Sequence, residues 1–243
     1  MKFVKLLAIA AISILIVGCS DQKPENTIIV GTSADNPPYE FIKDGEIVGL
    51  DIDIINEIGK KLRKKVIIKN LDFHGLLGAL ASKNIDVVIA GLSITQERMA
   101  RVDFSVPYTS AQVSVLYRLK DNFKGKEDLM GKVLGAQLGT IWGQVAQILS
   151  NDYKNKINTL ANNLMLVQEL KAGVVDAVIL EEAQTKQFIA NNPELASFPL
   201  PEVSSEFAIA FPKNSELKDK VDKAIEMLKI HGTIESIEKK WFQ

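Results

Sequence analysis

The chain has 243 residues, which is enough for one large domain or two smaller lobes. Residues 1–18 carry two lysines and no acids, so without them the formal net charge falls from −1 to about −3, which argues against nucleic acid as a partner. The single cysteine, Cys19, excludes an internal disulfide.

The first eighteen residues have the pattern of a secretory signal. Lys2 and Lys5 precede the continuous apolar run Leu6–Val17, and Gly18 supplies the small residue expected before a cleavage site. The apolar run is too short for a convincing membrane span. We therefore predict that residues 1–18 are a signal peptide and that the rest of the chain is exported.

The sequence around the predicted cleavage site favours a lipoprotein. The tetrapeptide IVGC, which ends at Cys19, resembles a bacterial lipobox, in which the cysteine is lipidated and becomes the mature N-terminus. The alternative is an ordinary signal peptide followed by an unrelated cysteine. Residues 19–26 are polar, contain a proline and suit a short tether to the membrane.

Beyond the tether, short apolar runs alternate with helical patterns, which predicts an α/β fold. The predicted strands are Thr27–Thr32, Val66–Leu71, Ile85–Gly91, Val113–Tyr117, Val133–Gln137, Val175–Leu180 and Phe207–Phe211. Predicted helices begin near Leu50, His74, Thr95, Thr140, Asn162, Glu182, Glu216 and, after a stop at Gly232, Thr233.

An internal similarity suggests two lobes built from a similar unit. The stretches 76–91 and 166–181 each combine a helix, a tight turn and an apolar strand, and they match at an offset of 90 residues. Short units of this kind also resemble one another by chance. If the match is structural, Gly91 and Glu181 both end a strand, and ligands of open α/β sheets bind beyond such strand ends.

The common enzyme motifs are absent from the sequence. Its two histidines, His74 and His231, lack metal-ligand spacing, and there is no HExxH, Walker A or GxSxG motif. Acids close in sequence, such as Asp51 and Asp53, are typical of solvated helix starts. We therefore predict no catalytic residue, no metal and no cofactor.

The remaining polar residues suit recognition of a zwitterionic amino acid. Arg98 offers a bidentate fork for a carboxylate, Ser93 a nearby hydroxyl and Gly91 an exposed carbonyl. Glu181 offers the charge that an ammonium group needs, and Phe73 an apolar wall.

The junction Gln137–Thr140 joins a strand to a helix through a glycine, so its free N–H groups form an anion site. Each feature has an ordinary alternative: Arg98 as a surface partner of Glu97 or Asp103, Thr140 as a helix cap, and Phe73 as a core residue. Their convergence at strand ends favours a binding site.

Several stretches in order along the chain resemble the family-three solute-binding proteins of polar amino-acid ABC transporters. They are IIVGTSADNPPYEF (28–41), GEIVGLDIDI (45–54), DFHGLLGALASKNIDVVIAGLSITQERMARVDFSVPY (72–108), KVLGAQLGT (132–140), ELKAGVVDAVILEE (169–182) and HGTIESIEKKWF (231–242). The resemblance implies a type II periplasmic-binding-protein fold, with two α/β lobes joined by two hinge strands. Its expected lobes are 27–114 with 207–243, and 115–206.

The resemblance also implies roles for individual residues. Arg98, aided by Ser93 and backbone at Thr140, would hold the α-carboxylate. Glu181, where the family more often has Asp, would hold the α-amino group together with the Gly91 carbonyl. Phe73, already assigned to an apolar wall, would pack against the ligand side chain.

Two positions depart from the family pattern. Asn36 stands where an aromatic residue is usual, so Trp142 could supply that wall from the other lobe, and the Asn36 amide could hydrogen-bond the ligand. Ser33 stands where arginine and lysine binders often carry an acid. This favours a neutral polar ligand such as glutamine, although Asp35, Glu182 or Gln184 could compensate.

We therefore expect a lipid-anchored binding protein, in the periplasm or at the cell surface, that captures a glutamine-like or arginine-like L-amino acid. It would act as a monomer and deliver the amino acid to a membrane-embedded ABC permease with its ATPase. The alternatives are a dehydratase of the cyclohexadienyl dehydratase type on the same fold, with Glu181 or Glu182 as acid or base, and a sensor or adhesin.

Overall fold

The computed structural model of the protein describes residues 26–242. Its strands are β1 Thr27–Thr32, β2 Asp35–Asn36, β3 Glu40–Lys43, β4 Glu46–Val48, β5 Lys65–Asn70, β6 Val87–Val88, β7 Val102–Phe104, β8 Thr109–Arg118, β9 Val133–Gln137, β10 Lys156–Leu160, β11 Ala177–Glu181, β12 Leu195–Phe207 and β13 Ala210–Pro212. Its helices are α1 Leu50–Leu62, α2 Leu76–Ala81, α3 Gln96–Met99, α4 Ile141–Tyr153, α5 Asn163–Ala172, α6 Glu182–Asn191, α7 Leu217–Ile230 and α8 Thr233–Phe242.

The predicted signal segment and Cys19 lie outside the described residues, as does the predicted tether up to residue 25. Between residues 26 and 242, no helix combines the length and the apolar character needed to cross a membrane.

The strands form two five-stranded sheets with the same internal arrangement. In the first sheet, the order is β5-β1-β6-β13-β7, and β1 runs parallel to β5 and β6. In the second sheet, the order is β10-β9-β11-β8-β12, and β9 runs parallel to β10 and β11. Each sheet then adds an antiparallel strand next to the third parallel one. The two sheets define a first and a second lobe, as expected for the type II fold, and the first lobe also carries the small sheet β2-β3-β4.

The internal similarity of the sequence corresponds to equivalent positions in the two lobes. The Asp86 carboxylate accepts the backbone N–H of Ile29 on β1 at 2.6 Å. Its counterpart Asp176 accepts the backbone N–H of Val133 on β9 at 2.9 Å. In both lobes, the acid that opens the apolar strand is therefore joined to the neighbouring parallel strand.

The apolar runs of β6 and β11 are continuous because both faces of each sheet are buried. Val87 contributes to the large core cluster and Val88 to a separate cluster beneath the opposite face. In the second lobe, Ile179 and Leu180 alternate in the same way between two clusters. Successive side chains on a strand point to opposite faces, so consecutive interior positions of such a strand are apolar.

Two long strands connect the lobes. Along the chain, β8 follows β7 of the first sheet and is part of the second sheet. β12 returns antiparallel to β8, with a register shift between Leu200 and Ser204. The expected lobe boundaries at 114/115 and 206/207 fall within these strands and stay a prediction.

Some elements differ from the sequence prediction. The predicted strand 85–91 is regular only at Val87–Val88, and the predicted strand 207–211 is divided between the end of β12 and β13. The helix expected near His74 begins with a 3-10 turn at Phe73–Gly75 before α2. The helix expected near Thr95 is the single turn α3. At the end of the predicted strand 85–91, the backbone N–H of Gly91 donates to the Asp51 side chain instead of continuing a regular ladder.

Candidate amino-acid-binding site

A small cavity of about 10 Å³ lies where strand ends of the two lobes meet. Its lining includes nine of the ten residues predicted for ligand binding. The lining residues are Asn36, Phe73, Ala90, Gly91, Ser93, Arg98, Gln137, Thr140, Ile141, Trp142 and Glu181. Residues far apart in sequence, and from both lobes, thus face one enclosed space.

Arg98 is held at the cavity by local and inter-lobe contacts. The hydroxyl oxygen of Thr95 accepts the backbone N–H of Arg98 at 3.2 Å, so Thr95 caps α3, the helix predicted to begin near it. The guanidinium donates to the Ser93 carbonyl at 2.6 Å and, across the cleft, to the Gly139 carbonyl at 2.9 Å. Its Cζ lies 5.6 Å from the ring centroid of Phe73, which is a cation–π distance.

The guanidinium of Arg98 has no acidic partner in the described part of the chain. Its side chain is buried, and within residues 26–242 it forms no ion pair. Asp103, one of the surface partners considered from sequence, pairs instead with Lys213 at 2.9 Å. Burial lowers the pKa of Arg98 to about 10, because a desolvated cation is disfavoured. An anion in the cavity would compensate this buried charge.

Glu181 carries the opposite charge at the same cavity. It ends β11, is 4% exposed, and accepts the indole N–H of Trp142 at 2.6 Å. Burial raises the pKa of Glu181 to about 7, against the lowering effect of the Trp142 bond, and the charges of Asp35 and Asp51 add to the rise. In the described part of the chain, Glu181 has no cationic partner, so a ligand cation would stabilise its ionised form.

The second lobe contributes the start of α4 to the cavity. Thr140 occupies the N-cap position, but its hydroxyl donates to the Gln137 carbonyl at 2.8 Å instead of capping the helix. The first N–H groups of α4 have no partner inside the helix, and the helix dipole places partial positive charge there. Gly139 has φ +83° and approaches His74 of the first lobe so closely that a Cβ would meet the His74 Cβ at 3.0 Å.

Asp35, which sequence reasoning treated only as a substitute acid, joins the two lobes. Its carboxylate accepts the Gln137 side-chain amide at 2.9 Å and the backbone N–H of Asn163 at 2.7 Å. The Asp35 carbonyl accepts the Gln184 side-chain amide at 3.4 Å. Burial raises the pKa of Asp35, although these donors oppose the rise. The first lobe is therefore fastened to the second beside the cavity.

Ser33 is the predicted ligand residue that the structure places outside this cavity lining. Its hydroxyl donates to Asp35 Oδ1 at 3.0 Å. It borders a neighbouring cavity together with Asn70, Asp72 and Asn162. Ser33 therefore contacts Asp35 and not the cavity that Arg98 and Glu181 line, and its role in ligand choice stays a prediction.

Asp51 corrects the interpretation of the acids at the start of α1. Asp51 is fully buried, and its Oδ2 accepts the backbone N–H of Gly91 at 2.8 Å and the Tyr108 hydroxyl at 2.9 Å. Asp53 lies on another face of the helix and accepts from Lys240 and Trp241 at the surface. Since the partners of Asp51 are 40 and 57 positions away, no local pattern signalled its burial.

Comparison with known proteins gives the family. Residues 28–243 match the model for "Bacterial extracellular solute-binding proteins, family 3". The chain belongs to this family. It is 34% identical over 249 residues to the arginine-binding extracellular protein ArtP of Bacillus subtilis, an alignment that covers 99% of this chain and 98% of ArtP.

Solved structures agree in fold. An ancestral arginine-binding protein bound to arginine is 40% identical, with a TM-score of 0.85, and the match covers 90% of this chain and 99% of that one. A structure described as an ancestral arginine-binding protein bound to glutamine is also 40% identical, with a TM-score of 0.84 and coverages of 90% and 99%.

The family establishes the class of function. This chain is a solute-binding protein of the amino-acid ABC transporter family, and its relatives are binding proteins and not enzymes. The dehydratase alternative is therefore set aside. In the part of the chain from 26 to 242, no group of three or more His, Cys, Asp or Glu side chains is arranged to hold a metal ion.

Proposed function

We propose that this protein captures a polar L-amino acid by its two charged ends and delivers it to an ABC permease. The observation that carries the proposal is the pair Arg98 and Glu181. The two side chains have opposite charges, are buried, line the same small cavity, and have no ion-pair partner among residues 26–242. A bound zwitterion supplies both missing partners at once, and buried charges require such pairing.

In this arrangement, the α-carboxylate lies at the Arg98 fork, near Ser93 and the N-terminus of α4. The α-ammonium lies at Glu181 and the Gly91 carbonyl. Phe73 and Trp142 form the apolar walls, one from each lobe. Because the contacts come from both lobes, the ligand stabilises the closed arrangement, which the permease then recognises.

Of the two ligand types, charge favours arginine over glutamine. Arg98 is one cation at a cavity that Glu181 lines, and the acid Asp35 and the buried carboxyl pair Glu40 and Asp51 lie behind that lining. A cationic amino acid leaves less uncompensated negative charge than a neutral one. The relative ArtP is named as arginine-binding, and the ancestral structures contain arginine in one case and glutamine in the other.

Calorimetry with arginine, glutamine, histidine and cystine tests the function. We expect arginine to bind most tightly, glutamine more weakly, and Arg98→Ala to weaken both. A protein that binds none of the four would contradict the proposed function. Tightest binding of glutamine would retain the function and overturn the charge argument.

We also propose that the protein acts as a monomer, anchored through lipidated Cys19 in the periplasm or at the cell surface. The support is the lipobox-like sequence before Cys19 and the family's extracellular character. Metabolic labelling with a fatty-acid analogue should mark the wild-type protein and not Cys19→Ala. Labelling of both proteins, or of neither, would remove the anchor from the proposal.

A further inference from the structure

Two buried carboxyl groups lie directly behind the cavity lining. Glu40 begins β3 and Asp51 lies in the first turn of α1, and both side chains are fully buried. The two groups are within hydrogen-bonding reach of each other. The Asp51 carboxylate accepts a hydrogen bond from the backbone N–H of Gly91, and Glu40 Oε1 accepts one from the side-chain amide of Asn36 at 3.3 Å. Both Gly91 and Asn36 line the cavity.

The part of the chain that the structure describes provides no cation for this pair. Within residues 26–242, neither Glu40 nor Asp51 forms an ion pair, and the titratable groups that face them are Tyr39, Tyr108, Asp35 and Glu181, none of which is positive. Two adjacent carboxylates without a cation cannot both be ionised in a buried site. A single shared proton removes the conflict.

The hydrogen bonds indicate which group is the acid. Asp51 Oδ2 accepts two donors, at 2.8 and 2.9 Å, and such bonds stabilise a carboxylate. Glu40 accepts only the longer bond from Asn36. The remaining oxygens, Glu40 Oε2 and Asp51 Oδ1, are buried and have no hydrogen-bond donor among the residues from 26 to 242. A proton on Glu40 Oε2, directed to Asp51 Oδ1, satisfies both oxygens.

The pair also determines which atom Asn36 can offer to a ligand. Because Asn36 donates an amide N–H to Glu40, its Oδ1 is left as an acceptor, and within residues 26–242 this buried oxygen has no hydrogen-bond partner. A Cβ on Gly91 would lie 3.0 Å from Asn36 Nδ2, so the two residues are adjacent at the cavity wall. An ammonium group has three N–H donors. Glu181, the Gly91 carbonyl and Asn36 Oδ1 are three acceptors on the same cavity.

We propose that Glu40 and Asp51 share one proton and act as positioning residues for the ligand's ammonium group, Asp51 by fixing Gly91 and Glu40 by turning the Asn36 oxygen toward the ligand. This inference rests on the proposed function and adds Asn36 to the ammonium contacts. Burial raises the pKa of Glu40 well above its ordinary value and that of Asp51 to about 6, which agrees with one proton on the pair near neutral pH.

Substitution of Glu40 separates positioning from simple packing. Glu40→Gln keeps an acceptor for Asn36 and a donor for Asp51, so amino-acid affinity should stay within about threefold of wild type. Glu40→Leu removes both, and affinity should fall about tenfold or more, as expected for one lost hydrogen bond to a charged group. The matched control is Glu46→Gln, at an exposed acid on the neighbouring strand β4, which should bind like wild type.

Infrared spectroscopy detects the proton directly. The spectrum of the wild-type protein should be recorded about one pH unit above the pKa of about 7 of Glu181, where Glu181 is mostly ionised. It should still show the C=O stretch of a protonated carboxyl group. That band should disappear in both Glu40→Gln and Asp51→Asn, because each amide replaces the shared proton. Circular dichroism monitors whether Glu40→Leu folds. If it does not, the infrared spectra of the isosteric variants Glu40→Gln and Asp51→Asn test the shared proton.

Three results would overturn the inference: no such band in the wild type, equal loss of affinity in Glu40→Gln and Glu40→Leu, or wild-type affinity in a folded Glu40→Leu. A wild-type protein that binds no amino acid would instead contradict the proposed function. The infrared result would still report on the pair in that case.

Discussion

Replacement of Arg98 by alanine should weaken amino-acid binding by about 10- to 150-fold. The guanidinium is buried, donates to carbonyls of both lobes, and lacks an acidic partner within the described chain. A hydrogen bond between charged groups contributes about 1.5–3 kcal/mol, and each 1.4 kcal/mol changes the dissociation constant tenfold. Arg98→Lys should give an intermediate loss, because it keeps the charge and loses the planar fork.

Calorimetry of the wild type, Arg98→Ala and Arg98→Lys measures the three dissociation constants. Arg101→Ala is the matched control, since Arg101 lies three positions further along the chain and is exposed. Thermal unfolding provides a second readout: the ligand should raise the melting temperature of the wild type and much less that of Arg98→Ala. Wild-type affinity in Arg98→Ala, or an equal loss in Arg101→Ala, would refute the carboxylate role of Arg98.

Three further substitutions test other parts of the site. Burial raises the pKa of Glu181 to about 7, and a bound ammonium favours its ionised form. Affinity should therefore rise as the pH increases through about 7, and binding below this pH should release a proton. Calorimetry in buffers of different ionisation enthalpy should show both effects in the wild type and neither in Glu181→Gln. Asp35→Asn weakens the contacts with Gln137 and Asn163, so stopped-flow measurements should show ligand release accelerated about tenfold with little change in association, and unchanged release would contradict a fastening role. Phe73→Leu removes the aromatic face beside the guanidinium and should cost about two- to thirtyfold in affinity, whereas an unchanged dissociation constant would show that the ring face is not used.

The elements that sequence reasoning located best have local signals. β1 and β9 match their predicted bounds because each is a short run ended by a turn. α5 begins after Asn162, whose side chain accepts the N–H of Met165 at 3.2 Å, as an N-cap does.

β12 was missed because its sequence argues against a strand. It contains Pro199 and Pro201 and several exposed polar residues. The order of the second sheet places β12 at its edge, where a proline can be accommodated because one side of the strand needs no partner. That position is a property of the tertiary fold, which a local pattern does not contain.

The cavity shows the same division between local and distant information. Strand ends and helix starts predicted that Gly91, Glu181 and Thr140 lie together, because parallel strands end on one side of a sheet, and all three line the cavity. The inward direction of Asp51 and the inter-lobe contacts of Asp35 depend on residues 40 to 128 positions away. Such partners become visible only once the chain is folded.

The most direct test of the central claim uses ligands that lack one charged end. Calorimetry should compare L-arginine with its α-carboxamide, which has no carboxylate for Arg98, and with N-acetyl-L-arginine, which has no ammonium for Glu181. We predict binding of L-arginine and a loss of at least about tenfold for each modified ligand. Equal affinity for all three compounds would show that the two buried charges do not hold the two ends of the amino acid.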